Sequence, residues 1–224
     1  MKRFISKQAM ILPILLAILS SASLAQNEPS EDAAIAESDA LVAQGYNLGG
    51  QESIAYYDKA IQLNPNNFYA YYNKGTVLIS LQEYTDAVYA MNSALSIKPD
   101  DVDALANKAV ALIEAARTGQ YTNAQAAYEK AIQACDAAMQ YSGSNPRALY
   151  NRGQAEWSLG ELTQDTSILE RAYNDLLSTW RAGGDHALDA QREAGEVYRL
   201  MLDLGWQPQG DPSGERSDVT GTLG

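Results

Sequence analysis

Apolar positions recur along this chain with the period of a helix that buries one face. Ala124, Ala127, Tyr128, Ala131, Ala134, Cys135 and Ala138 follow i, i+3, i+4, i+7 spacing. Ile168, Leu169, Ala172, Tyr173, Leu176, Leu177 and Trp180 form a second such stripe before Gly183 and Gly184, which end it. The same reading predicts helices from about Glu31 to Gln44, from about Pro146 to Gly160 and from about His186 to Leu204. Proline at 146 suits a first helical turn, where its missing N–H costs nothing.

An internal period runs through the middle of the chain. The segment starting at Ser53 aligns with that starting at Ala87 and pairs Tyr57 with Met91, Ala60 with Ala94 and Pro65 with Pro99, each offset by 34 residues. YNKG at Tyr72–Gly75 recurs as ANKA at Ala106–Ala109 and as YNRG at Tyr150–Gly153, the last offset being 44. The ten extra residues divide into three at the turn inside the third unit and seven at the end of its second helix.

The residues that recur are those of the tetratricopeptide repeat, which this chain resembles. The pattern is best kept in the second unit, with Tyr71, Gly75, Leu78, Tyr84, Ala87, Met91, Ala94 and Pro99 in the family's positions. Small residues at 75, 87 and 94 permit close helix approach, and Pro99 stops the second helix. Asp100, Asp101 or Asp103 is placed to cap the helix that follows; the run lacks the glycine and terminal glutamate of a calcium loop. The resemblance covers about residues 34–182 and fades at both ends: the first unit has an unusual YNLGGQ turn, and the fourth keeps its small residues poorly. It implies an all-α, right-handed solenoid of antiparallel helix pairs, about four repeats over residues 34–205, closed by a C-terminal capping helix.

The flanks read differently. Lys2, Arg3 and Lys7 precede an uncharged run, Ala9–Leu19, and then Ser20, Ser21, Ala22 and Ser23. These are the three regions of a signal peptide, with cleavage expected after Ala25. The run is 11 residues and contains Pro13, against the roughly 20 needed to span a bilayer, so no stable membrane span is expected after cleavage. Residues 26–33 read as a linker and 206–224, rich in Pro, Gly, Ser and Thr, as a disordered tail. The expected location is the periplasm or another extracytoplasmic compartment, the thylakoid lumen being a variant of it.

Charge and composition then exclude chemistry. The chain carries 28 acids against 16 bases, a formal charge of −12, and repels phosphate backbones, so no nucleic-acid partner is expected. One His and one Cys cannot build most metal sites or a disulfide framework. Cys135 lies within an apolar stripe and reads as a buried, inert thiol, and His186 as a surface residue at a helix start. There is no P-loop, dinucleotide fingerprint or nucleophile elbow. Neither a catalytic residue nor a cofactor or metal is expected.

What remains is binding. In the second unit Tyr69, Tyr72, Asn73, Thr76 and Ser80 lie on a face other than the packed one. In the family that face lines a concave groove. Its equivalents are Asp103, Ala106, Asn107, Val110 and Glu114, then Arg147, Tyr150, Asn151, Gln154 and Ser158, with Trp157 beside them. Asn73, Asn107 and Asn151 occupy one repeat position. An amide both donates and accepts, and the arrangement resembles the asparagine ladder with which members of the family hold peptide backbone; the alternative is that each amide bonds a neighbouring helix. A carboxylate clamp does not fit, because Tyr69 stands where its first lysine would be. The implied partner is a protein or extended peptide held by an exported, bacterial scaffold or assembly factor. A self-associating envelope protein is the alternative.

Overall fold

The structure, a computed structural model, describes residues 30–143 and 145–207. The expected signal peptide over 1–25 and all but the first two residues of the expected tail over 206–224 lie outside the described residues. Among these, nine helices follow one another: α1 (Glu31–Leu48), α2 (Ile54–Leu63), α3 (Phe68–Ser80), α4 (Tyr84–Ile97), α5 (Val102–Arg117), α6 (Ala124–Ser142), α7 (Pro146–Thr163), α8 (Thr166–Ala182) and α9 (Ala187–Asp203). The architecture is the all-α tetratricopeptide fold that the resemblance implied. No helix of the described residues is long and apolar enough to cross a membrane.

Local chemistry sets the helix boundaries. Ser30, Asn67, Asp101 and Asn145 each accept a backbone N–H from the first turn of α1, α3, α5 and α7, and Asn123 and Asp165 do the same for α6 and α8. A side-chain cap of this kind contributes about 1 kcal/mol. Of the three aspartates considered for α5, Asp101 is the cap, donated to by the Ala104 N–H at 2.9 Å. Pro65 and Pro99 each follow a helix end by two residues. The turns inside the second, third and fourth pairs share a left-handed residue: Gln82, Gly119 and Gln164.

The helices α1, α3, α5 and α7 pack on one another as well as on their own partners, whereas α2, α4, α6 and α8 have no such mutual packing among the described residues. The touching layer is the inner, concave side of the stack. Its core runs between the layers, with Ala87, Ala109, Leu112, Ala127, Ala131, Cys135 and Ala155 fully buried. Burial pushes the Cys135 thiol up to about 12, so it is an inert core residue, as its place in the stripe suggested.

Three expectations need adjustment. Residues 31–33, expected in the linker, already belong to α1. Trp206, expected in the tail, folds back onto α9: its backbone N–H donates to the Met201 carbonyl at 2.9 Å and its ring meets that of Tyr198 at 6.0 Å. The fourth pair, expected to keep its small residues poorly, does place leucines on its second helix, but two glycines of its first helix, Gly153 in the place of Gly75 and Gly160, make room for them. A Cβ at Gly153 would stand 3.0 Å from Leu176 Cγ, and one at Gly160 2.7 Å from Leu169 Cγ.

Candidate functional site

Two grooves open on the concave layer. The first, about 600 Å³, lies between α1 and α3 and is lined by Asp39, Val42, Ala43, Tyr46, Asn47, Tyr69, Tyr72 and Asn73. The α1 residues follow i, i+3, i+4, i+7, i+8 and so share one face. Tyr46 is 73% exposed and Tyr69 57%, unusual for rings of that size. The buried Phe68 supports two of these rings: Tyr72 stacks on it at 5.7 Å, Tyr69 meets it edge-on at 5.2 Å, and the Lys98 ammonium sits 4.3 Å from its centre. Burial raises the Tyr72 phenol above its ordinary value, and the charge of Asp103 adds to this. Tyr72 therefore stays a neutral donor at physiological pH.

The second groove, about 480 Å³, lies at the other end, lined by Arg117, Tyr128, Gln154, Trp157, Ser158, Glu161, Leu162 and Glu193. Between the two, Arg147 fills the centre. Its guanidinium donates to the Asn107 side-chain carbonyl and stands 3.5 Å from Asp103.

The expected site residues are thus divided. Tyr69, Tyr72 and Asn73 line the first groove; Gln154 and Trp157 line the second. Thr76 is exposed, with its hydroxyl donating to the Tyr72 carbonyl at 3.0 Å, and Val110 is half-buried. Tyr150 is turned into the wall, where its hydroxyl donates to Glu193 at 3.0 Å. Of the three amides, Asn107 takes Arg147, and Asn151 donates to the Ala106 carbonyl at 3.3 Å. These two link α5 to α7, the alternative kept open above, while Asn73 faces its groove.

Sequence reasoning missed two contributors. Tyr46 and Asn47 repeat the Tyr-Asn pair of 72–73 and 150–151, but 26 residues before the first of these instead of 34, so a search by period passes over them. Glu193, only 7% exposed, belongs to the capping helix, outside the repeat pattern. His186 is no free surface residue: its ring stacks on that of Tyr150 at 4.6 Å and 9°. No group of histidine, cysteine and carboxylate side chains among the described residues is arranged to hold a metal.

Stacked helix pairs that present one concave layer define a class, the helical-repeat scaffolds of protein–protein interaction. Within that class the chain is a tetratricopeptide repeat protein: residues 56–89 and 110–179 match two profiles of that repeat family. A curated relative is the BBSome complex member BBS4 of Xenopus tropicalis, 25% identical over 165 residues. That alignment takes in 73% of this chain and 31% of the relative, so the chain spans about a third of its length. Among solved structures, MamA (41-end) from Desulfovibrio magneticus RS-1 superposes with a TM-score of 0.60 at 15% identity, covering 85% of this chain and 93% of that one. Another MamA crystal structure gives 0.52 at 16% identity, covering 86% and 87%. At such identities the likeness is one of fold.

Proposed function

We propose that the chain is exported, loses residues 1–25, and holds an extended segment of a partner protein along its concave face as an assembly or scaffolding factor of the cell envelope. Export is supported by the basic, apolar and small-residue regions before Gln26. The binding mode is carried by the first groove, where two large rings, Tyr46 and Tyr69, stand in solvent at 73% and 57% exposure beside the Asn73 amide. Exposed aromatics grouped on a concave wall are characteristic of recognition surfaces. The fold favours binding over chemistry.

The test is capture of envelope proteins by the full chain, compared with a Tyr69→Ser, Asn73→Ala double variant that melts at the wild-type temperature. Loss of the captured partner, by about tenfold in affinity for an aromatic anchor, is the expected result. Capture indifferent to both changes, or a concentration-dependent oligomer with no partner, overturns this reading in favour of self-association. Intact mass of the recovered chain should place its first residue at Gln26.

A further inference from the structure

We infer that the α7–α9 end of the concave face receives a basic side chain of the bound segment, an arginine or a lysine, with Glu193 as its counter-charge and Trp157 as its stacking plane. The inference rests on reading that face as the peptide site, and it names the chemistry that one end selects.

Glu193 is held in place before any ligand arrives. The Tyr150 hydroxyl donates to its Oε1 at 3.0 Å, and the Gln154 amide reaches both oxygens at 3.3 Å. Tyr150 is itself fixed by stacking on His186 at 4.6 Å. Burial raises the Glu193 carboxyl above its ordinary range, opposed by the bonds from Tyr150 and Gln154 and by the charges of Arg192 and Arg117.

The bases in reach are already engaged. Arg192 comes no nearer than 3.8 Å to Glu193 and is shared with Asp189 at 3.3 Å and Glu196 at 3.9 Å. Arg117, on the far lip, is paired with Glu114 at 3.0 Å and bonded to Ser158 at 3.2 Å. The groove itself is lined by two carboxylates, Glu161 and Glu193, against one guanidinium, Arg117, which Glu114 already pairs. The surplus is negative, and the groove has room, about 480 Å³.

A guanidinium entering it finds a preoriented carboxylate, an indole face and, in the 54% exposed Leu162, an aliphatic surface for its stem. Those are the three contacts a long cationic side chain makes best. An acidic or phosphorylated residue meets repulsion at the same place.

The experiment is an NMR titration of the full, isotope-labelled chain with N-acetyl-arginine amide and, separately, its uncharged isostere N-acetyl-citrulline amide. The Trp157 indole N–H is followed, with Trp180 and Trp206 as internal references. The arginine probe should shift Trp157 saturably, the citrulline probe should bind at least about tenfold more weakly, and added salt should weaken the arginine response. Glu193→Gln should abolish the preference. Because that change touches the cap, the exposed Glu161→Lys serves as a second variant and should weaken arginine binding without lowering the melting temperature.

Equal binding of the two probes, an unmoved Trp157, or shifts confined to Trp180 and Trp206 would overturn the inference. If capture of the partner still depends on Tyr69 while the arginine probe fails, the pocket assignment falls alone. If the arginine probe binds while capture ignores Tyr69 and Asn73, it is the concave-face reading that falls.

Discussion

At the scale of single residues, the least comfortable group in the molecule is Glu156. It is 3% exposed; Oε1 accepts from Arg171 Nε at 2.8 Å, and Oε2 is buried without a hydrogen-bond partner among the described residues. Burial raises its carboxyl above the ordinary range, only partly opposed by Arg171. A carboxyl whose pKa is raised on folding binds its proton more tightly in the native state. It favours folding where it is protonated, and that contribution is lost as pH rises from the unfolded value through the folded one. Glu156→Gln removes the titration while keeping the shape. As pH rises above the ordinary carboxylate range the wild type should therefore lose stability relative to the variant, and parallel melting profiles there would contradict this account. Glu193 has the same sign but is present in both proteins, so the difference isolates Glu156. Neither carboxylate was legible in the sequence as buried, since burial here comes from neighbouring helices.

At the scale of helices, antiparallel pairing needs a close approach, and two solutions occur. In the second pair Gly75 faces α4, and an added Cβ would meet the flexible Met91 methyl at 2.7 Å. In the fourth, Gly160 faces the start of α8, where a Cβ would stand 2.7 Å from Leu169 Cγ and 3.1 Å from the Leu169 backbone nitrogen. A methionine end can swing aside; a leucine branch point and a backbone cannot. Gly160→Ala should thus cost about 1–3 kcal/mol by overpacking. Gly75→Ala should cost less, because the Met91 end can yield while the helix-propensity gain of up to about 1 kcal/mol is common to both changes. Thermal melts decide it, and equal losses would mean that the methyl of Met91 is as immovable as the backbone. In the fourth pair Gly153 keeps the place of Gly75, but Leu169 and Leu176 stand on the second helix against glycines of the first, so the fit survives where the motif does not.

At the scale of the whole molecule, a stack of pairs must be closed, since each pair buries its face only against a neighbour. The closing helix α9 lays Ala190, Ala194, Val197 and Met201, all fully buried, onto the cluster that holds Leu169, Tyr173 and Leu176. Trp206 returns over Tyr198 to seal its end. A chain ending at Asp185 would expose that cluster. Full burial of each large apolar side chain contributes about 1.5–3 kcal/mol, so this truncation should lower the melting temperature sharply and produce concentration-dependent association in light scattering. A monomeric truncated chain that melts unchanged would refute the capping role.

Sequence by itself determined what depends on local chemistry and spacing. The helical stripes, the 34-residue period, the proline stops and the polar caps fixed the pairs and their order; register set Tyr69, Tyr72, Asn73, Gln154 and Trp157 apart from the packed face, and the family resemblance put that face on the inner layer. Tertiary structure decided what depends on which surfaces meet. It paired Asn107 and Asn151 with α7 and α5, turned Tyr150 towards Glu193, brought Tyr46 on α1 opposite Tyr69, and set a buried carboxylate from the cap at the far end of the groove. The physical reason is that a helical period reports which face a residue occupies, whereas its partner depends on how far neighbouring helices slide and lengthen. The irregular α1, the extended third unit and the cap lie where the period no longer sets that distance.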